Sequence, residues 1–461
     1  MALLDIDGNV VPETAVKELR NALHGALLEP GDTCYHDARK VWNGMIDRHP
    51  GLIARCASAD DVIRAVNFGR DHDLLIAVRG GGHNMAGLSV CDNGLMIDLA
   101  PMKGITVNPA TQRAVAQPGV VWGEFDQATQ EHGLAVTGGM ITHTGIAGLT
   151  LGSGFGWLMR NFALTHDNLL SLDLVTADGA SRRVNADEHP DLFWALRGGG
   201  GNFGIVTSFE YRLHQLGPVL GGMVLYPLAE ASAVIGGWQD IALGSPDELT
   251  TGVVLVTTPD GAPVVAVVPC WSGPDLGAGE AVAAPLHRLG TVAADLAGPM
   301  PYVAQQSLVD ASFEPGWRYY QRAAFFDAVT DDFIAVAADA YSRAPSPLCG
   351  ILVVGFGGAV GRVAPEAGAF PHRNSPFYTD VIAAWTDPAD DDRCIAWLKD
   401  TWEAMLPLFP GDAGVDVNHV DRGEDRLRAA YRANYDRLAA IKRAYDPENL
   451  FRLNQNIKPA G

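Results

Sequence analysis

A chain of 461 residues, 48% of them hydrophobic, can fill two or three sizeable cores, and its length favours two lobes over one. A net charge of −21 repels nucleic acid and anionic membrane surfaces and leaves neutral or cationic small molecules as the expected substrates. Six cysteines (Cys34, Cys56, Cys91, Cys270, Cys349, Cys394) occur without a CxxC pair, so neither a metal cluster nor a disulfide frame is expected, and the thiols are read as buried apolar groups.

Met1 to Asp7 lacks a basic segment and a long apolar core, and no stretch reaches membrane-spanning length, so the expected location is cytoplasmic. Glu13 to Gly25 has the spacing of a peripheral helix, with Val16, Leu19 and Leu23 on one stripe. Gly51 to Cys56 predicts a strand. Ser58 then stands as an N-cap before the first-turn acids Asp60 and Asp61, and Val62, Ala65, Val66 and Phe68 follow at helical spacing. With the apolar run ending at Val78 this makes a β-α-β unit, which empties into Arg79-Gly80-Gly81-Gly82-His83-Asn84. Three glycines let a backbone turn sharply and approach a ligand with no Cβ in the way, and such loops present N–H groups to phosphate. His83 is thereby delivered to the edge of an anion-binding nest, within reach of a cofactor ring.

Leu95 to Leu99 predicts another strand, and Ile105 to Gln117 a hairpin around Asn108-Pro109-Ala110-Thr111. Trp122 to His132 is helical and stops at Gly133. From Thr137 to Trp157, Gly138, Gly139, Gly145, Gly148, Gly152 and Gly154 alternate with Ile, Leu, Phe and Trp that must be buried, so this backbone packs against something flat and large. Gly152-Ser153-Gly154-Phe155-Gly156 lacks the strand-turn-helix setting and the following acid of a dinucleotide fingerprint. Leu172 to Thr176 and Ser181 to Val184 flank the hairpin signal Asp178-Gly179. A helical piece, Asp191 to Leu196, runs into Arg197, the glycines Gly198 to Gly201, and Asn202-Phe203-Gly204-Ile205-Val206. Three glycine loops in one lobe point to one long ligand.

Leu216-Gly217-Pro218 marks the start of a second lobe. Leu220 to Tyr226, Leu249 to Thr257, Val264 to Cys270, Gly350 to Gly355 and Phe377 to Trp385 read as strands, with a hairpin tip at Pro259 to Pro263. Helical pieces at Glu230 to Ile241 and Asp331 to Ala344 lie between them, and an antiparallel sheet backed by helices is the natural layering. Asp387 to Asp392 reads as a solvated loop. Glu424 to Ala444 predicts one long helix with Leu427, Tyr431, Leu438 and Ile441 on a stripe.

Four segments together resemble the berberine bridge enzyme-like, FAD-linked oxidases of the vanillyl-alcohol oxidase fold: Arg79 to Asn84, Gly145 to Trp157, Trp194 to Gly204, and Tyr445-Asp446-Pro447-Glu448-Asn449-Leu450-Phe451-Arg452-Leu453-Asn454-Gln455-Asn456-Ile457. The likeness is greatest to bacterial members that oxidise hydroxynicotine or tailor polyketides. It implies an α+β protein with a PCMH-type FAD-binding lobe (1–216, the PCMH-type part about 47–216), an antiparallel-sheet substrate lobe backed by helices (217–412), and a C-terminal segment (413–461) returning to the FAD lobe. It further implies FAD bonded through its 8α-methyl to His83. Many members add a cysteinyl link just before the second glycine region. Here Ile141, Thr142 and His143 stand there, so single attachment is expected. The implied cofactor set is Arg79, Gly80, Gly81, Gly82, His83, Asn84, Gly87, Gly138, Gly139, Thr142, His143, Gly145, Gly148, Gly152, Gly154, Phe155, Gly204, Ile205, Val206, Asn454 and Asn456.

The chemistry implied is hydride transfer from a carbon bearing oxygen or nitrogen to flavin N5, with a base taking the O–H or N–H proton and dioxygen reoxidising the flavin to give hydrogen peroxide. In many relatives the base is the second tyrosine of a Tyr-x-Asn-Tyr segment. The matching residues are Asp416-Val417-Asn418-His419, which puts His419 at the base position. Read as a strand, this segment turns Asp416 and Asn418 to one face and Val417 and His419 to the other. Tyr378, Asp380 and His372 are further pocket candidates. An unperturbed imidazole base would give a pH limb near 6.5. A bulky alcohol or amine substrate, dioxygen, and a monomer or homodimer complete the expectation. A same-fold dehydrogenase with another acceptor, an enzyme of oxidative rearrangement and a non-catalytic flavin carrier are the alternatives.

Overall fold

A computed structural model describes residues 3–409, 413–421 and 425–461. The β-α-β expectation holds. Leu52–Arg55, Leu95–Asp98 and Ile76–Arg79 form a parallel sheet, with Ala26–Leu28 added antiparallel at one edge. The helix Ala59–Asp71 crosses between the strands, and the Ser58 hydroxyl accepts the Asp61 N–H at 3.3 Å. The parallel strands are buried, as sheets covered on both faces are.

The two expected hairpins join a second, antiparallel sheet of order Ile105–Asn108, Arg113–Ala116, Ile205–Arg212, Leu169–Val175, Ser181–Asn185. Ile205, Val175 and Ala177 pack into the core of the first sheet, which fuses the two.

The second half builds a nine-stranded sheet among the described residues. Its main path runs Ala294–Asp295, Val224–Pro227, Pro263–Trp271, Leu249–Thr257, Gly350–Gly355, Phe377–Trp385, Arg318–Phe326. Strand alternation splits its faces. Phe377, Val381, Ala383, Ile351, Val353, Val253 and Leu255 meet the helices Ala231–Gly244, Asp331–Ser342 and Asp391–Met405. Tyr378, Ala323, Phe325 and Val354 pack on the other face, in the core of the glycine-loop lobe.

Several expectations are corrected. The strand Leu220 to Tyr226 is two, Val219–Gly221 and Val224–Pro227, because Gly222 takes φ +95° at a point where a Cβ would lie 2.2 Å from the Leu296 carbonyl. Asp387 to Asp392 is not a free loop. Asp391 opens the helix Asp391–Met405, and its carboxylate holds Arg318 and the Trp385 indole (2.7 Å). The long C-terminal helix is two, Leu427–Tyr431 and Tyr435–Tyr445, broken where Arg432 adopts φ +47°, while Glu424 lies outside the described residues. Cys34 is exposed, and the other five thiols are buried. No helix among the described residues is long and apolar enough to cross a membrane.

Candidate functional site

The first glycine loop is fixed from below. Arg79 forks onto the fully buried Asp98 (3.0 and 2.7 Å) and donates to the Lys40 carbonyl (2.8 Å), so its guanidinium is spent on the scaffold. Gly81 lies directly against Gly145. A Cβ at Gly81 would sit 2.5 Å from the Gly145 nitrogen and Cα, so glycine in both loops is what lets them touch. Asn84 accepts the Leu88 N–H (3.0 Å), and Gly87 faces Ile46.

His83 projects from this loop with one ring face stacked on Trp42 (4.2 Å, 18°), which is itself stacked on Tyr319 of the large sheet (3.8 Å, 17°). Its Nε2 lies 3.1 Å from Nδ1 of His143. Burial drives the His83 imidazole down to about 3, and like charge from His143 and His419 pushes the same way, so the ring is neutral in ordinary buffers and keeps a nucleophilic lone pair.

The second glycine loop is clamped by the other lobe. Gly138 lies on the Trp122 ring, Gln306 donates to the Gly139 carbonyl (3.1 Å) and to the buried Asp126 (2.7 Å), and Asp310 accepts both the Thr142 N–H (2.9 Å) and its hydroxyl. Gly148 is exposed, with open space where a Cβ would stand, whereas Gly152 makes room for the Asn418 amide and Gly154 (φ +77°) for Thr165.

The third loop meets the C-terminal tail. Asn202 donates to the carbonyls of Gly199 and Gln455 and accepts the Ile457 N–H (2.9 Å). Lys442, fully buried, binds Asp446 and the Asn202 carbonyl, both at 2.6 Å. Asn454 reaches the Gly201 carbonyl (3.4 Å). Ile205 and Val206 pair with Val175 and Leu174, and Gly204 presses on the Val175 carbonyl.

The tail also carries the base candidate. Residues 416–419 form a helical turn, not the expected strand: Asp416 caps Val417–His419 by accepting the Asn418 N–H (2.7 Å), and its second oxygen takes the Ser153 hydroxyl. Asn418 donates to the Leu149 carbonyl (3.2 Å). Asp416 and Asn418 are thus anchors, and the turn sends the His419 ring over Phe155 (5.5 Å, 25°) and beside Tyr378 (5.4 Å). His419 Nε2 lies 3.9 Å from Asp380 and Nδ1 4.0 Å from Asp416. Packing lowers the basicity of this ring and Asp416 opposes that, while 27% of the side chain stays accessible. His372 sits apart from this cluster, buried against Phe325 and bonded to the Ala430 carbonyl.

His83 and His143 thus form one ring pair and Phe155, Tyr378 and His419 another cluster, and the charge on His419 is felt at His83. Trp42 and Tyr319 stack behind His83, and Gln306 and Asp310 hold the second glycine loop, four residues with no local signal in the sequence. An extended cofactor fits this frame. Bare backbone meets backbone at Gly81 and Gly145, and buried polar atoms with no protein partner among the described residues remain at His143 Nε2, Asn454 Oδ1 and Asn456 Oδ1.

Comparison with known proteins agrees. Residues 50–185 match the family described as FAD binding domain, and 412–458 the family described as berberine and berberine like. An FAD-linked oxidoreductase of Dictyostelium discoideum is 33% identical over 96% of this chain and 97% of its own length. (R)-6-hydroxynicotine oxidase of Paenarthrobacter nicotinovorans is 31% identical over 95% of this chain and 98% of its own. The crystal structure of 6-hydroxy-D-nicotine oxidase from Arthrobacter nicotinovorans superposes with a TM-score of 0.87 at 29% identity, covering 95% of this chain and 98% of that one.

Proposed function

Because the chain belongs to the berberine bridge enzyme-like family of FAD-linked oxidoreductases, we propose that it is an oxidase that takes a hydride from a CH–OH or CH–NH group of a bulky small molecule and passes the electrons to dioxygen. FAD supplies the hydride acceptor. The single observation that supports this assignment of roles is the electrostatic coupling of His83 to His419, two residues from opposite ends of the sequence, with Tyr378 and Asp380 beside His419.

His83 is the proposed attachment point: a neutral imidazole held against Trp42 has a lone pair to give. His419 is the proposed base. It is neutral at pH 7, and carboxylates at 3.9 and 4.0 Å favour the imidazolium that forms once a substrate proton arrives. Asp380 lies 3.9 Å from His419 Nε2, near enough to attract the imidazolium, and Tyr378 meets the ring edge-on. Apolar walls at Phe155 and Tyr378 beside an acidic group suit an amine or alcohol with an apolar body. We assign residues 1–216 and 413–461 to cofactor binding and 217–412 to the substrate wall.

The test is a panel of neutral and cationic alcohols and amines screened by peroxide release, followed by anaerobic reduction with each hit and exposure to air. Bleaching by a hit and rapid recovery of the yellow colour with stoichiometric peroxide are the expected result. Bleaching that air does not reverse, or a preferred substrate carrying phosphate, would refute the oxidase or the substrate class respectively.

A further inference from the structure

We propose that His143 prepares His83 for covalent attachment by taking the proton of its Nε2, which makes His83 Nδ1 the nitrogen that bonds to the 8α carbon of the flavin. The inference rests on the covalent reading above and adds a residue and an atom to it. The two rings meet at 3.1 Å, a hydrogen-bond distance between His83 Nε2 and His143 Nδ1, and one of these nitrogens must donate to the other.

Both partners are held. The His83 ring is stacked on Trp42, and the residues on either side of His143 are pinned, Thr142 by Asp310 and Gly123 (2.8 Å) and Thr144 by Trp122 (3.0 Å). The contact therefore selects one ring orientation of His83 and leaves only Nδ1 for another bond. The charges nearby favour the same direction of proton movement. Burial lowers His143 as it does His83, but Asp310 and Glu314 pull His143 back up, whereas His83 feels the like charges of His143 and His419. A proton leaving the pair's inner ring comes to rest on His143.

Atoms and electrons balance with dioxygen as oxidant. The C–N bond forms between His83 Nδ1 and the 8α carbon, and the 8α C–H bond breaks. Its proton leaves, its electron pair enters the flavin, and the Nε2 proton passes to His143. Dioxygen then takes the two electrons and two protons as hydrogen peroxide.

The test uses flavin-free protein from riboflavin-limited cells, incubated with FAD in air and sampled into acid. Wild type accumulates acid-stable flavin, with His83→Ala as the blank. His143→Ala still binds FAD through gel filtration but becomes acid-stable about 10²-fold more slowly, the ordinary worth of a positioned proton acceptor. His143→Gln, whose amide oxygen can accept a hydrogen bond from Nε2 and orient the ring but cannot take the proton, stays nearly as slow as His143→Ala. NMR of the wild-type flavopeptide finds the bond at Nδ1. Attachment in His143→Ala at the wild-type rate, a His143→Gln as fast as wild type, or a bond at Nε2 overturns the proposal while the covalent reading stands. If wild-type protein releases all its flavin into acid, both fall.

Discussion

Asp126 offers a quantitative check on the clamp between the lobes. Its side chain is 1% exposed on the helix Trp122–Gln130, and one oxygen takes the Gln306 amide while the other has no partner. Burial raises the carboxyl from its ordinary 3.8 to about 7, with the Gln306 bond pulling weakly the other way. The folded protein therefore keeps this proton between about pH 4 and 7, where the unfolded chain has already released it. Stability on this account is full below pH 4, falls as pH rises, and is exhausted above 7. The gap corresponds to a loss of about 4 kcal/mol, on the order of 1.4 kcal/mol for each pH step. Asp126→Asn keeps an oxygen for Gln306 and has nothing to ionise. The measurement is thermal unfolding of both proteins from pH 4.5 to 9. The advantage of the variant should grow from pH 4.5 to 7 and level off above it, and Gln306→Ala should weaken both proteins at every pH. A difference between wild type and Asp126→Asn that does not change with pH would refute the reasoning.

His419→Ala should slow anaerobic flavin reduction by about 10² to 10⁴-fold with the flavin still attached, as read by stopped-flow absorbance. Because burial lowers the His419 ring below its ordinary value, wild-type reduction should be flat through neutral pH and fall only in acid, below the limb near 6.5 expected from an unperturbed ring. Gly81→Ala places a Cβ 2.5 Å from the Gly145 backbone, and should cut FAD retention on gel filtration to a small fraction of wild type. Asp446→Asn strips the charge partner from a Lys442 whose ammonium burial already disfavours, costing about 3 to 5 kcal/mol. Lys442→Met with Asp446→Leu should restore much of the loss in urea unfolding.

Where a local rule decides structure, the sequence was readable. Ser58 caps its helix, Asp178-Gly179 turns its hairpin, and the first glycine loop begins where the strand Ile76–Arg79 ends. The strand Arg318–Phe326 went unread because RYYQRAAFF is buried on both faces and shows no alternation. The helix Asp391–Met405 did carry a signal, a stripe of Cys394, Trp397, Leu398, Thr401, Trp402 and Met405, hidden behind an acidic start that looks like a loop. The tail segment failed for another reason. Asp416-Val417-Asn418-His419 has no helical pattern of its own, and its turn exists because Asp416 caps it and Ser153, 263 residues away in sequence, takes the other oxygen. The His83–His143 contact and the Trp42 stack are likewise products of tertiary packing, invisible to any window of sequence.

The tail that supplies His419, and whose residues bond to Asn202, is made after nearly everything it completes. A nascent chain stalled at residue 400 has all three glycine loops but lacks His419, the carbonyl of Gln455 that Asn202 binds and the Lys442 ammonium that grips the Asn202 carbonyl. At cellular elongation rates of about 5 to 20 residues per second, the last 60 residues trail that point by several seconds. A chain ended at residue 400 should therefore keep less FAD through gel filtration than the full chain, and flavin absorbance of the two purified proteins checks it.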